Sequence, residues 1–159
     1  MARNHVRINA PREQVYALLS DPRTYGYWVV GSQRIRAADP HWPAPGASFD
    51  HRVGVGPVGL NDHTDVLSAH EPEMIELCAR AAPLPPARVR IHLAEHEDGT
   101  EVVMEEAPAN RLLSLLLGPI GHRLLWLRNT QSLRRLKGLA EGRIPLPSGT
   151  LPHREAVLD

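Results

Sequence analysis

The sequence predicts an α+β domain in which a curved, seven-stranded antiparallel sheet wraps around a long C-terminal helix, with two short helices after the first strand. Three observations lead there. Residues 120–141 repeat at helical spacing, with Leu125, Leu133, Leu136, Leu139 and Ala140 on one side and Arg123, Arg134, Lys137 and Glu141 on the other. Upstream, six short segments alternate at strand spacing between turn residues. At 159 residues the chain fits one domain with one core.

In chain order, residues 5–9 alternate as a strand, with Val6 and Ile8 on one face, and Pro11 ends it. Pro11 also suits the first turn of a helix, where its missing N–H would have had no partner. That helix, residues 13–19, groups Val15, Leu18 and Leu19. Ser20-Asp21-Pro22 stops it and begins a second short helix or turn carrying Tyr25, Tyr27 and Trp28. Strands follow at 33–37, 48–55, 60–67, 74–81, 87–95 and 100–107. Their connections carry Pro43-Ala44-Pro45-Gly46, Gly56-Pro57, Glu71-Pro72, Pro83-Leu84-Pro85-Pro86 and Asp98-Gly99, the last the sharpest hairpin signal. Such short turns imply an antiparallel meander. Gly118-Pro119 separates residues 110–117, read as a short helix or turn, from the long helix. Residues 143–159 have Pro and Gly punctuation without periodicity and read as a loosely held tail.

Eighteen basic and eighteen acidic side chains cancel without forming a long block of either sign, which argues against a nucleic-acid partner. A lone cysteine, Cys78, has no partner for an internal disulfide or a Cys-pair metal clip and reads as a small core residue. The N-terminus lacks an apolar leader, and the longest apolar run, residues 112–117, is too short to span a bilayer. A cytoplasmic protein is expected, and the abundant Arg, Ala and Pro fit a GC-rich bacterial source.

Residues two apart on a strand share a face. Taking the more apolar set as inward places Phe49, Val53 and Val55, Leu60, Thr64 and Val66, Ile75, Leu77 and Ala79, Val89, Ile91 and Leu93, and Val102 with Met104 against the helix. The same choice brings in His51, Asp62 and Glu106, and the apolar stripe of the helix brings in Asn129. Unpaired charges inside an apolar shell are costly, so these groups must pair, reach a rim or touch a ligand. For Asn129, in mid-helix, the alternatives are a bond fastening helix to sheet and a contact to ligand. Trp28, Tyr25 and Tyr27 form either an aromatic mouth or packing against the last helix.

Other constellations do not assemble. His63 and Asp65 point away from Asp62, and His92 and His96 lack zinc-type helical spacing, so no metal or cofactor is expected. Gly54, Gly56 and Gly59 accompany Pro57 in a hairpin and are turn glycines, not a phosphate cradle. There is no nucleophile elbow, and no Ser-His-Asp set can be put together from sequence alone.

Four stretches carry a family resemblance: Ile8-Asn9-Ala10-Pro11-Arg12-Glu13-Gln14-Val15-Tyr16; Leu18-Leu19-Ser20-Asp21-Pro22 through Tyr27-Trp28; Asp98-Gly99-Thr100 before Val102 and Met104; and Arg128-Asn129 with Ser132-Leu133. With the element order, they resemble the helix-grip fold of the START-like (SRPBCC) superfamily, in particular its polyketide cyclase/dehydrase branch. The resemblance implies a single ligand-binding domain over residues 1–142. A sheet gripping a helix with polar groups in its apolar interior is the arrangement of a small-molecule binder. The first expectation is therefore a hydrophobic ligand, lipid-, aromatic- or polyketide-like, contacted by Trp28, His51, Asp62, Thr64, Met104, Glu106 and Asn129. The alternative implied by the branch is a cyclase, aromatase or dehydratase with His51 or Glu106 as base and Asp62 or Asn129 orienting or polarising a carbonyl. A third reading, a protein-interaction module, rests on Ile120, Leu124 and Leu127 opposite the buried stripe, covered either by residues 110–117 or by a second subunit in a homodimer.

Overall fold

The structure is a computed structural model, and it describes residues 1–55, 57–82, 85–108 and 118–149. The elements run β1 (Ala2–Ile8), α1 (Arg12–Leu19), a 3₁₀ turn (Pro22–Thr24), α2 (Tyr25–Trp28), β2 (Ser32–Ala38), β3 (Ser48–Val55), β4 (Val58–His70), β5 (Met74–Ala81), β6 (Ala87–His96), β7 (Gly99–Pro108) and α3 (Gly118–Ala140). The strands form a seven-stranded sheet in the order β1-β7-β6-β5-β4-β3-β2, and every pairing is antiparallel. The curled sheet around the C-terminal helix is the helix-grip arrangement expected. The short helix or turn expected over residues 110–117 lies outside the described residues, as do residues 150–159 of the tail.

Local chemistry explains most boundaries. Pro11 precedes α1 and its carbonyl accepts from Gln14 and Val15 at 3.0 and 3.1 Å. Val15, Tyr16, Leu18 and Leu19 are buried on the inner face of α1. The Asp21 carboxylate then accepts from the Arg23 backbone N–H at 3.0 Å and caps the 3₁₀ turn. Pro119 sits in the first turn of α3, where a missing donor is harmless. After α3, Gly142 adopts φ 71°, a left-handed conformation natural to glycine at a helix end. Arg143 and Ile144 turn back to donate to the Gly138 carbonyl at 2.8 and 3.0 Å. The chain beyond the helix is thereby tied down as far as Ile144, which packs on the core.

Several boundaries differ from the sequence expectation: β1 begins at Ala2 rather than at residue 5 and β4 at Val58 rather than at residue 60, and two further differences have a local cause. β4 runs on to His70 past a register shift between Val66 and Ser68, where an extra residue breaks the alternation and moves Ala69 to the core side. In the β6–β7 hairpin His96 pairs with Gly99, so Glu97 and Asp98 make the turn, and the positive φ, 50°, falls on Glu97. Gly99 answers a different demand. A Cβ there would lie 2.2 Å from the Ile8 carbonyl oxygen, so the end of β1 can close on β7 only because that side chain is missing. We expect Gly99→Ala to cost about 1–3 kcal/mol by overpacking against rigid backbone, measured by urea unfolding; an unchanged midpoint would contradict this.

α3 buries only part of its length. Asn129, Ser132, Leu133, Leu136, Leu139 and Ala140 are buried, while Leu125 is half-buried. Ile120, Leu124 and Leu127 are 77, 63 and 50% exposed on the outer side of its first half. Polar bonds hold the helix against β1, α1 and the turn before β2. The Asn4 amide donates to the Trp126 carbonyl and the Thr130 hydroxyl at 2.9 and 2.7 Å, Gln14 to the Ala140 carbonyl at 2.9 Å, and the Val30 N–H to Ser132 at 3.0 Å.

Candidate functional site

The sheet register decides which inward polar groups meet. His51 of β3 stands opposite Asp62 of β4, and Phe49 opposite Thr64. The His51 Nε2 lies 2.7 Å from the Asp62 Oδ2, while the Asp62 Oδ1 accepts from the Arg80 backbone N–H at 2.7 Å. The Thr64 hydroxyl donates to the Asp62 Oδ2 at 3.5 Å. On the other side of the ring, His51 Nδ1 lies 2.8 Å from the Ser32 hydroxyl. An ionised carboxylate only accepts, so the Nε2 carries the ring hydrogen toward Asp62 and the Nδ1 accepts from Ser32. Ser32, His51, Asp62 and Thr64 are all buried. A Ser-His-Asp line thus exists in three dimensions although none could be assembled from sequence.

Burial alone would push the Asp62 carboxyl up, but the hydrogen bond from His51, with those from the backbone N–H groups of Arg80 and His63, holds it below the ordinary carboxylate value. A folded pKa below the unfolded one means that the unfolded chain binds more protons in acid. Asp62 therefore contributes stability that is fully present above the ordinary carboxyl pKa and is lost as pH falls through the lowered folded value. We expect Asp62→Asn to be less stable at neutral pH by about 1.5–3 kcal/mol, the worth of hydrogen bonds to a charged group. Its stability should also change less with pH over that acidic window. Denaturant titrations at several pH values measure both, and parallel wild-type and variant profiles would exclude the assignment.

Glu106 and Asn129 form a second, separate set. Arg128 Nη2 donates to both Glu106 carboxylate oxygens at 2.9 and 2.7 Å, and the Asn129 amide donates to Glu106 Oε2 at 2.8 Å. The Asn129 oxygen accepts from Arg128 Nε and Nη2 at 3.3 Å. Of the two alternatives for Asn129, this bond runs from helix to sheet. Along the ladder Glu106 pairs with Val89, Val89 with Leu77 and Leu77 with Val66, so its row meets β4 one full turn of the pleat beyond Thr64, not at Asp62. The two candidate bases, His51 and Glu106, therefore occupy different rows. Met104 is buried opposite Ile91 and Asn4 on a third.

Trp28 lies within an aromatic wall. Its ring is 5.1 Å from that of Tyr25, which is 4.9 Å from Phe49, and Phe49 is in turn 4.9 Å from the His51 ring. Tyr25 donates to the Leu19 carbonyl at 2.8 Å, and burial pushes its phenol well up. Tyr27 is exposed, so the three aromatics do not share one mouth. The Trp28 indole N–H is buried without a hydrogen-bond partner among the described residues.

Ser32 and Arg128 are the contributors that sequence reasoning missed. Ser32 sits where the β2–β3 register shifts, so no alternation rule points it inward. Arg128 lies on the flank of α3 and reaches Glu106 with its long side chain while remaining partly exposed. On the opposite sheet face His63 bonds Asp50 and Asp65 at 2.7 and 2.8 Å, apart from Asp62 as expected. Among the described residues no group of three or more His, Cys, Asp or Glu side chains is placed to hold a metal ion. Among the same residues no helix is long and apolar enough to cross a membrane. A surface groove lined by Arg12, Glu73, Met74 and Leu93, among others, contains none of the inward polar groups.

Residues 9–138 match the family described as Activator of Hsp90 ATPase homolog 1-like protein. Comparison with curated proteins gives no significant match. Among solved structures, protein CV1439 from Chromobacterium violaceum shares 20% identity over 87% of this chain and 96% of its own, with a TM-score of 0.66. TTHA0849 from Thermus thermophilus shares 13% identity over 91% of this chain and 99% of its own, with a TM-score of 0.68. The di-domain ARO/CYC protein StfQ from the steffimycin biosynthetic pathway shares 14% identity, with a TM-score of 0.68; 89% of this chain covers half, 50%, of that one. At these identities the structures speak for the fold.

Proposed function

Because this chain belongs to the Activator of Hsp90 ATPase homolog 1-like family, within the START-like superfamily expected from its sequence, we infer that it binds a small hydrophobic ligand between sheet and C-terminal helix. One observation carries the reading: the Trp28 indole N–H, buried in an aromatic wall, lacks an acceptor among the described residues. A buried donor left unpaired costs about 1–3 kcal/mol, which a ligand carbonyl or ether oxygen would recover. Apolar walls supply affinity in such a site, and a few fixed polar groups set orientation. Titration with the uncharged fluorophore N-phenyl-1-naphthylamine tests it. Saturable enhancement at one probe per chain is the expected result; no saturable signal, with no ligand in native mass spectra of the purified protein, rejects the reading.

A second reading, acid-base chemistry on a polyketide-like substrate, is favoured by one feature: His51 is oriented by Asp62, as a general base requires. The fold neighbour StfQ, described as an ARO/CYC protein, is consistent with it. Assaying a model polyketide with wild type, His51→Ala and Glu106→Ala decides; wild-type turnover lost in His51→Ala supports it, and no turnover in the wild type removes it.

A further inference from the structure

The Ser32–His51–Asp62 line has a direction. The Asp62 carboxylate takes the hydrogen of His51 Nε2, which leaves the Nδ1 lone pair to the Ser32 hydroxyl hydrogen. Both ring nitrogens are therefore engaged by the protein itself, and among the described residues Ser32 holds the nitrogen that can still take a proton. The Ser32 oxygen keeps two acceptor lone pairs, and His51 is its hydrogen-bond partner among the described residues. Ser32 is well positioned for such a role. It follows a turn pinned to α3 by the Val30–Ser132 bond, and its own backbone N–H donates to the Val29 carbonyl at 3.0 Å. That last bond argues against a nucleophilic serine, because the residue's N–H does not help to form an oxyanion hole.

We propose that Ser32, His51 and Asp62 form a hydrogen-bond relay that receives the acidic hydroxyl, phenol or enol, of an aromatic ligand. The proposal rests on the ligand-binding reading above and names the class of ligand. Three features converge on it. The near end of the relay is an acceptor, the buried Ser32 oxygen, so it calls for a donor. The His51 ring lies edge-on to Phe49 at 4.9 Å, and the aromatic wall continues through Tyr25 to Trp28, surfaces that favour an aryl ring. The far end of the relay is an ionised carboxylate fixed by a backbone N–H, which stabilises positive charge on the imidazole. When the ligand ionises, its O–H proton passes to the Ser32 oxygen as the Ser32 proton passes to His51 Nδ1. The products are a ligand oxyanion hydrogen-bonded by Ser32 and an imidazolium paired with Asp62, with no net gain or loss of protons.

p-Nitrophenol is a suitable probe, because its phenol and phenolate absorb at different wavelengths. In buffer below its solution pKa, binding to wild type is expected to raise its ratio of phenolate to phenol about tenfold, a shift of one unit. Ser32→Ala should bind the probe without that rise, and Ser32→Thr, which keeps a hydroxyl, should restore it. His51→Gln should also abolish it. Folding of each variant is checked by its titration with N-phenyl-1-naphthylamine. If the uncharged probe binds wild type and bound p-nitrophenol ionises no more than free, or Ser32→Ala ionises it as wild type does, the relay is overturned while the ligand-binding reading stands. If neither probe binds, both fall.

Discussion

Phe49→Ala is expected to lower stability by about 3–5 kcal/mol and Tm by roughly 10 °C for a domain of this size, the largest effect of any single substitution considered. Phe49 is the sole phenylalanine of the chain and is 1% exposed. Its ring lies 4.9 Å from Tyr25, 4.7 Å from Trp42 and 4.9 Å from His51, all in tilted or edge geometry. Truncation removes the transfer energy of a whole ring and leaves a cavity that three stiff neighbours cannot collapse to fill. Tilted and edge-on aromatic contacts add about 0.5–1.5 kcal/mol each beyond area alone. Phe49→Leu keeps most of the volume and should recover more than half of the loss. Thermal and urea unfolding of both variants provide the check; equal effects would mean that the wall relaxes around the gap.

Glu106→Leu is expected to cost about 3 kcal/mol, because it strands the Asn129 amide, 1% exposed, without its charged acceptor. Arg128 can turn to water and adds less, since its side chain is 43% exposed. Asn129→Leu should cost about 2 kcal/mol by removing one hydrogen bond from a buried carboxylate that Arg128 still neutralises. Combining the two changes removes both halves of the pair and lets apolar surfaces meet. The double variant should therefore be more stable than the sum of the single losses by about 1–3 kcal/mol. Strict additivity in the double-mutant cycle would show that the two side chains are not coupled.

Much of this interior was legible because alternation is a local property. Once the apolar face of each strand is assigned inward, His51, Asp62, Thr64, Met104 and Glu106 follow, and all five are buried. What could not be read depends on register and on contacts between elements distant in sequence. His51 meets Asp62 because the β3–β4 hairpin sets them opposite one another, whereas Glu106 meets Asn129 because a helix crosses its strand. Ser32 is hidden by the irregular β2–β3 pairing. The Asp98-Gly99 signal marked the correct hairpin for a different reason, since the glycine serves close packing against Ile8 more than turn geometry. The α3 stripe was legible too: Leu133, Leu136, Leu139 and Ala140 pack inward and Ile120, Leu124 and Leu127 project from the opposite side, with Leu125 alone of the stripe only half-buried.

The bonds that close the sheet and seat the helix join opposite ends of the chain. Thr100 reaches Ala10 across 90 residues, and Asn4 reaches Thr130 across 126. Non-local contacts of this kind slow folding, because loop closure must be paid for before they are rewarded. During synthesis β1 is made well before its partner strand β7, and α3 later still. Until then the inner face of the growing sheet stays uncovered and prone to stray association. β1 therefore stays without its neighbours until β7 and α3, the elements that pair with it and pack on it, have both been made.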